Sequence, residues 1–287
     1  MKYIFFGTPS FAAHILDTLC AAGLPPVAVV CNPDRPTGRK KIITAPPVKE
    51  VALKYGVKLL QPEKPDDIIP ELKALAPDFF VVAAYSQLLK PGVLGIPPQG
   101  TIGVHPSLLP KLRGASPIQS AILRGDPETG LSLYMIDEKM DHGPILAQEK
   151  MKIGDLYYPE LQDKLAALAG NMLVKVLPSF TSGETTPKTQ NHELATLTIK
   201  FEREDGFIDP ILLKTALSGE SWEAAQETEK KIRALNPEPG TWTFGKAFTN
   251  LKIEPEKEVK IIKAKLDDGK LVPEIIQIAG KTPQTYS

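Results

Sequence analysis

A histidine placed at the end of an apolar, strand-like run is the first residue whose type and position could do chemistry. In TIGVHPSLLPKLRGASPIQSAI, His105 follows Thr101–Val104 and precedes a loop stiffened by prolines. An imidazole that titrates near neutrality can serve there as a general acid or, protonated, as a stabiliser of a developing oxyanion. The plainer role is a hydrogen bond that caps the strand. Downstream, DEKMDHGPIL sets Asp141 and His142 at a turn before a strand expected over Ile145–Glu149. A carboxylate close to His105 would orient the ring, favour its cationic form and accept a hydrogen bond from an amine. An isolated turn aspartate more often bonds its own backbone. Asp137 and His142 are secondary candidates for the same roles.

A second kind of site is suggested by DRPTGRKKIITAPPVK, where Arg35, Arg39, Lys40 and Lys41 crowd into seven residues among Pro and Gly. A phosphate backbone is the natural ligand for such a loop, and a solvated loop is the plainer alternative. Elsewhere the charge is balanced: Lys+Arg and Asp+Glu number 34 each, so polyanions are not attracted by bulk charge and contact must be local. GTP after the first strand is not GxGxxG, and HExxH, GxSxG and GxxxxGK[ST] are absent. The histidines, at 14, 105, 142 and 192, are too scattered for a metal site, so none is expected. Cys20 and Cys31 have neither metal-ligand nor CxxC spacing, which fits a reducing cytoplasm. The opening run Tyr3–Phe6 is too short for a leader core or a membrane span.

The elements that must position these residues are legible in the apolar pattern. Short runs at Tyr3–Phe6, Val27–Cys31 and Phe79–Ala83 alternate with amphipathic stretches around Ala12–Leu19 and Ile68–Leu75, which predicts a parallel sheet with crossover helices. Ligands in such sheets bind at the carboxyl ends of the strands, so the loops after Phe6, Cys31, Ala83 and Val104 are where a site is expected. From Pro159 a helix is predicted, with Leu161, Leu165, Leu168, Met172 and Val176 on one face. TSGETTPKTQNH has little to bury and reads as a linker, with the boundary near Ser182–Thr198. Then comes a predicted helix with Trp222, Ala225, Ile232 and Leu235 on a shared face, ended by Asn236-Pro237. Strand-like runs at Thr241–Phe244, Leu251–Ile253, Val259–Ile262 and Ile275–Ile278 have the spacing of a small β-barrel.

With these segments in view the chain resembles the methionyl-tRNA formyltransferases along nearly its whole length. FGTPSFAAHILDTL is similar to their opening strand and helix, and PDRPTGRKKIITAPPVK to their tRNA-contacting loop. VVAAYSQLLKPGVLGIP, VHPSLLPKLRGASPIQ and MDHGPIL resemble the core of enzymes that use 10-formyltetrahydrofolate; EREDGFID, IRALNPEPGTWT and LVPEIIQIAGK resemble the linker and C-terminal barrel. The resemblance implies an α/β, Rossmann-like formyltransferase domain over 1–182, a linker over 183–204 and a small OB-like β-barrel that helps hold tRNA over 205–287. It implies transfer of formyl from 10-formyltetrahydrofolate to the α-amine of methionyl-initiator tRNA for translation initiation, by a cytoplasmic, metal-free monomer. His105 matches the family's catalytic histidine and Asp141 its supporting aspartate. Ser107, Leu108, Leu109 and Pro110 match the folate-binding run, and Arg39, with Lys40 and Lys41, matches the tRNA loop.

Four departures stand out. The family usually has asparagine two residues before the histidine, where its amide donates to the oxyanion; this chain has Gly103. Loss of one such donor costs about 2.7–4 kcal/mol unless another group replaces it. Ser86 stands where glycine is commoner, and a positive φ there would be strained for serine. Pro210 stands where tryptophan is frequent, and residues 201–287 carry 13 Lys+Arg against 15 Asp+Glu, net −2, where a tRNA-gripping barrel should be basic. Two other readings stay open: a formyltransferase for a small amine, such as a sugar nucleotide or glycinamide ribonucleotide, and a non-catalytic folate- or tRNA-binding protein.

Overall fold

The computed structural model describes residues 1–38, 41–248 and 251–286, which group into two compact units. The first comprises Met1–Arg113, Gly130–Met151 and Gln162–Leu197; the second comprises Gly114–Thr129, Lys152–Leu161 and Thr198–Ser287. Two short segments from the middle of the chain therefore join the C-terminal unit.

A seven-stranded sheet organises the first unit, in the order Ile145–Lys152, Glu128–Met135, Thr101–His105, Phe79–Ala83, Tyr3–Gly7, Ala28–Val30, Leu59–Leu60. The last five of these run parallel, and Glu128–Met135 pairs antiparallel with Thr101–His105. Tyr3, Ile4, Phe5 and Phe6 are all buried, which explains their unbroken apolar run: a parallel strand covered on both faces has no polar side. The helix Ser10–Ala21 turns Ala12, Ile15, Leu16 and Leu19 inward, and Ile69–Ala74 buries Leu72. Both sit where the amphipathic stretches predicted helices. In the long helix Tyr158–Thr181 the buried stripe is Leu161, Leu165, Ala166, Ala169, Met172, Leu173 and Leu177, so the core face is rotated slightly from the one predicted and leaves Leu168 and Val176 half-buried.

Cys20 and Cys31 are free and buried. Desolvation pushes their thiols up to about 11 and about 12, so neither is a nucleophile near neutrality. Among the described residues no helix is long and apolar enough to cross a membrane, and no group of three or more His, Cys, Asp or Glu could hold a metal ion.

The second unit packs the helices Pro210–Ser218 and Trp222–Leu235 on an antiparallel sheet ordered Trp242–Phe244, Glu258–Asp267, Lys270–Ile278, Gln284–Thr285. Its core includes Ile208, Leu213, Ala225, Ile232, Val259, Ile261, Leu271 and Ile276. Trp222, expected on the buried face of its helix, is exposed; it is the first helical residue, where the packing face has not begun. Leu251–Ile253, expected as a strand, is irregular. Pro210 has a local explanation. It opens its helix after Asp209, whose carboxylate accepts from Ile211 N and Leu212 N, and the first helical position is the one where a missing N–H costs nothing.

Candidate active site

His105 is the last residue of its strand, in the middle of the sheet. It is not displayed on an open loop: the residue is 5% exposed. Its Nε2 lies 2.8 Å from the carbonyl of Leu112, an obligate acceptor, which assigns the proton of that nitrogen. Nδ1 then faces Oδ2 of Asp141 at 3.5 Å, an ion-pair distance that exceeds an ordinary hydrogen bond. The two residues singled out by type are thus brought together, with the carboxylate also nearly buried, at 13% side-chain exposure.

Both partners of the imidazole sit on unusual backbone. Leu112 has φ +59° and Asp141 φ +50°, left-handed values that cost most side chains of order 1 kcal/mol or more and need support from around them. The support comes from residues 190–196. Thr196 accepts from Leu112 N at Oγ1 (2.8 Å) and from Arg113 N at its carbonyl (2.9 Å). Gln190, 4% exposed, donates from Nε2 to the carbonyls of Asp141 (3.0 Å) and Gly143 (2.7 Å). Its Oε1 accepts from Arg113 Nη2 at 2.6 Å. Gly143 must be glycine, because a Cβ there would stand 1.8 Å from the carbonyl oxygen of Met135.

The folate-type run lies beside the histidine. Ser107 is fully buried, its N–H donating to the His105 carbonyl and its hydroxyl to the Lys111 carbonyl. Leu109 is buried, while Leu108 and Pro110 are half-exposed. Ser132 pins the turn: its hydroxyl donates to Ser107 O (2.6 Å) and accepts from Leu109 N (3.0 Å) and Gln148 Nε2 (2.8 Å), which uses the full capacity of one hydroxyl. Gln148 also donates to Leu109 O. The sequence reading missed Ser132, Gln148, Gln190 and Thr196, all supports reached across large sequence separations.

The secondary candidates form a neighbouring pair. His142 Nδ1 lies 2.7 Å from Asp137 Oδ2, and its ring stacks on His192 at 4.0 Å with an interplanar angle of 4°. Arg113 Nη2 reaches His192 Nδ1 at 2.9 Å. A guanidinium can only donate, so this Nδ1 carries a lone pair. Desolvation, then the charges of His142 and Arg113, hold the His192 imidazole below its ordinary range.

Ser86 does not take the expected strain. The left-handed residue of its loop is Ala84, at φ +46°, and the Ser86 hydroxyl accepts from Asn32 Nδ2 at 2.9 Å. In the basic loop, Arg39 and Lys40 lie outside the described residues. Lys41 is exposed, beside a hairpin of Arg35–Thr37 with Ile42–Thr44, while Arg35 is ion-paired with Glu63.

Comparison with known proteins shows the family. Residues 1–177 match the family described as formyl transferase. A methionyl-tRNA formyltransferase of Chloroflexus aurantiacus is 40% identical over 95% of this chain and 83% of its own. Among solved structures, a methionyl-tRNA formyltransferase from Clostridium thermocellum superposes with TM-score 0.61 at 17% identity, over 97% of this chain and 98% of its own. HypX from Aquifex aeolicus, in complex with tetrahydrofolic acid, superposes with TM-score 0.65 at 14% identity, over 99% of this chain and 46% of its own; at these identities the two structures speak for the fold. The His105–Asp141 pair, the pinned turn beside it and the extent of these matches lead to one assignment: the chain belongs to the methionyl-tRNA formyltransferases, within the formyl transferase family.

Proposed function

We propose that this enzyme moves the formyl group of 10-formyltetrahydrofolate onto the α-amine of methionyl-initiator tRNA, acting as a cytoplasmic monomer. The observation that carries the reading is the approach of His105 Nδ1 to Asp141 Oδ2 at 3.5 Å, held at a sheet's carboxyl edge beside the Ser107–Pro110 turn in a chain of this family.

In the proposed reaction the neutral amine attacks the formyl carbon and a tetrahedral oxyanion forms; the amine nitrogen gives up a proton, N10 takes one, and the C–N10 bond breaks as the oxyanion collapses to the formamide. His105 stabilises the oxyanion or protonates N10 by exchanging the Leu112 carbonyl on its Nε2–H for the substrate, while Asp141, facing Nδ1, supports the proton transfer and fixes the ring. For the folate, Leu108 and Pro110 offer half-exposed apolar surface, whereas Ser107 and Leu109 act by shaping the turn, since the Ser107 hydroxyl and the Leu109 backbone are already hydrogen-bonded within the protein. The functional division we propose is a catalytic domain over 1–182, a connecting segment over 183–204 whose Gln190 and Thr196 also brace the site, and a tRNA-holding, OB-like module over 205–287, supported by the antiparallel sheet of the second unit.

The test is transfer of labelled formyl from 10-formyltetrahydrofolate to methionyl-initiator tRNA, with free methionine, uncharged tRNA and small amino-sugar nucleotides as parallel acceptors. Robust transfer to the charged tRNA alone is the expected result; transfer to a small amine alone would replace this reading. Arg39, Lys40 and Lys41 are assigned to tRNA phosphates, because the C-terminal module, net −2 from residue 201, offers no positive surplus. Arg39→Ala should raise KM for methionyl-tRNA about tenfold and flatten its salt dependence by roughly one counterion, leaving KM for the folate unchanged. Equal weakening of both substrates would remove the tRNA role.

A further inference from the structure

The glycine two residues before His105 leaves a space, and the structure fills it. Gly103 and Tyr134 are direct partners across the antiparallel pairing of their strands. A Cβ placed at 103 would lie 2.4 and 2.5 Å from Cε1 and Cζ of Tyr134 and 2.9 Å from its hydroxyl oxygen. The phenol ring thus lies across the bare backbone of Gly103, in the volume that any larger residue would claim. Tyr134 is 6% exposed, and its hydroxyl donates to Oδ1 of Asp141 at 2.7 Å. The opposite oxygen of that carboxylate, Oδ2, is the one facing His105.

We propose that Tyr134, admitted by Gly103, is a positioning residue of the formyl-transfer site: its phenol O–H fixes the Asp141 carboxylate so that Oδ2 is held toward His105 Nδ1. The inference rests on the reading above, in which His105 and Asp141 act as a pair. A phenol is suited to the task. Burial, reinforced by the Asp141 charge, holds its pKa well above the ordinary value, so the hydroxyl remains a donor throughout the working range. A hydrogen bond to a carboxylate is about twice as strong as one between neutral groups, and here it joins the strand Glu128–Met135 to the loop that carries Asp141. Asp141, at positive φ on a loop, is thereby held to the rigid sheet at its side chain, while Gln190 holds its main-chain carbonyl.

Tyr134→Phe keeps the ring over Gly103 and removes only the hydroxyl. It should lower kcat about 10- to 100-fold and Tm by a few degrees, since Asp141 Oδ1 loses a donor, with KM for the folate near that of the parent. Acting through Asp141, the change should have no further effect in an Asp141→Ala background. The 15N shifts of the His105 ring, read without turnover, should move in Tyr134→Phe toward those of Asp141→Asn. Unchanged kcat, an undiminished kcat loss in the Asp141→Ala background, or 15N shifts equal to the parent's would each overturn the proposal. A parent inactive toward every acceptor would instead sink the formyl-transfer reading and leave the 15N measurement to decide Tyr134. The space-filling half is tested by Gly103→Asn, which should lower Tm and kcat alone and regain Tm when combined with Tyr134→Ala; Gly103→Asn at parental Tm and rate would show the space to be open.

Discussion

Replacing His105 by alanine is expected to cut formyl transfer about 10²–10⁴-fold, the range for a group that moves or stabilises charge in the transition state. Because Nε2 faces the buried Leu112 carbonyl at 2.8 Å, the same change leaves that acceptor without its donor. Stability should therefore fall by about 1–3 kcal/mol. A histidine on an exposed loop would be silent in stability, so thermal unfolding alone cannot separate catalysis from structure here. Asp141→Asn makes the separation. It keeps the side-chain shape while removing the charge opposite Nδ1, and should lower kcat at least tenfold with Tm within a few degrees of the parent. Folate binding measured on each variant then checks that the site is still assembled. Parental turnover in His105→Ala would end the catalytic assignment of the histidine; loss of turnover matched by loss of folate binding would make it a structural residue.

The sheet was readable because its strands are buried on both faces. Runs such as Tyr3–Phe6 and Phe79–Ala83 are short, rich in aromatic and β-branched residues and bounded by turn signals, which favours buried strands, and a histidine where such a run ends falls at the edge at which open sheets bind ligands. Asp141 could be nominated by type, and the family resemblance paired it with His105, but its geometry could not be foreseen. Its two anchors, Tyr134 and Gln190, are set by contacts that leave no periodic trace. Gly103 did carry a signal. A glycine inside a strand marks a close approach by a neighbour, and the neighbour is the tyrosine 31 positions further on. Read only as an absent donor, the same glycine gives no sign of a neighbour; the ring of Tyr134 occupies that place. In the C-terminal part the helices and main strands follow their patterns, while Trp222 and Leu251–Ile253 depart from theirs because an apolar residue at an element's end, or in a short irregular run, has no fixed face.

The stretch TPKTQNHELAT shows most plainly what composition cannot see. With almost nothing apolar to bury it reads as a linker, yet Gln190 within it is 4% exposed and joins three groups: the carbonyls of Asp141 and Gly143 through Nε2, and Arg113 through Oε1. Polar side chains that bury themselves on backbone carbonyls leave the same composition as a solvated tether. Gln190→Ala should therefore behave as a core mutation. Two buried carbonyls and one guanidinium nitrogen lose a partner together, for a cost on the order of 3 kcal/mol, and Asp141 loses one constraint on its left-handed backbone. A fall in kcat of tenfold or more should accompany the drop in Tm. Gln190→Glu distinguishes the two ends of the side chain. A carboxylate still satisfies Arg113 but sets negative charge against the carbonyls of Asp141 and Gly143, so kcat should fall at least as far as in the alanine variant even where Arg113 restores part of the stability. If both variants turn over at the parental rate, the aspartate loop stands without Gln190 and the segment is a connection only; if glutamate is tolerated and alanine is not, the contact that matters is the one to Arg113.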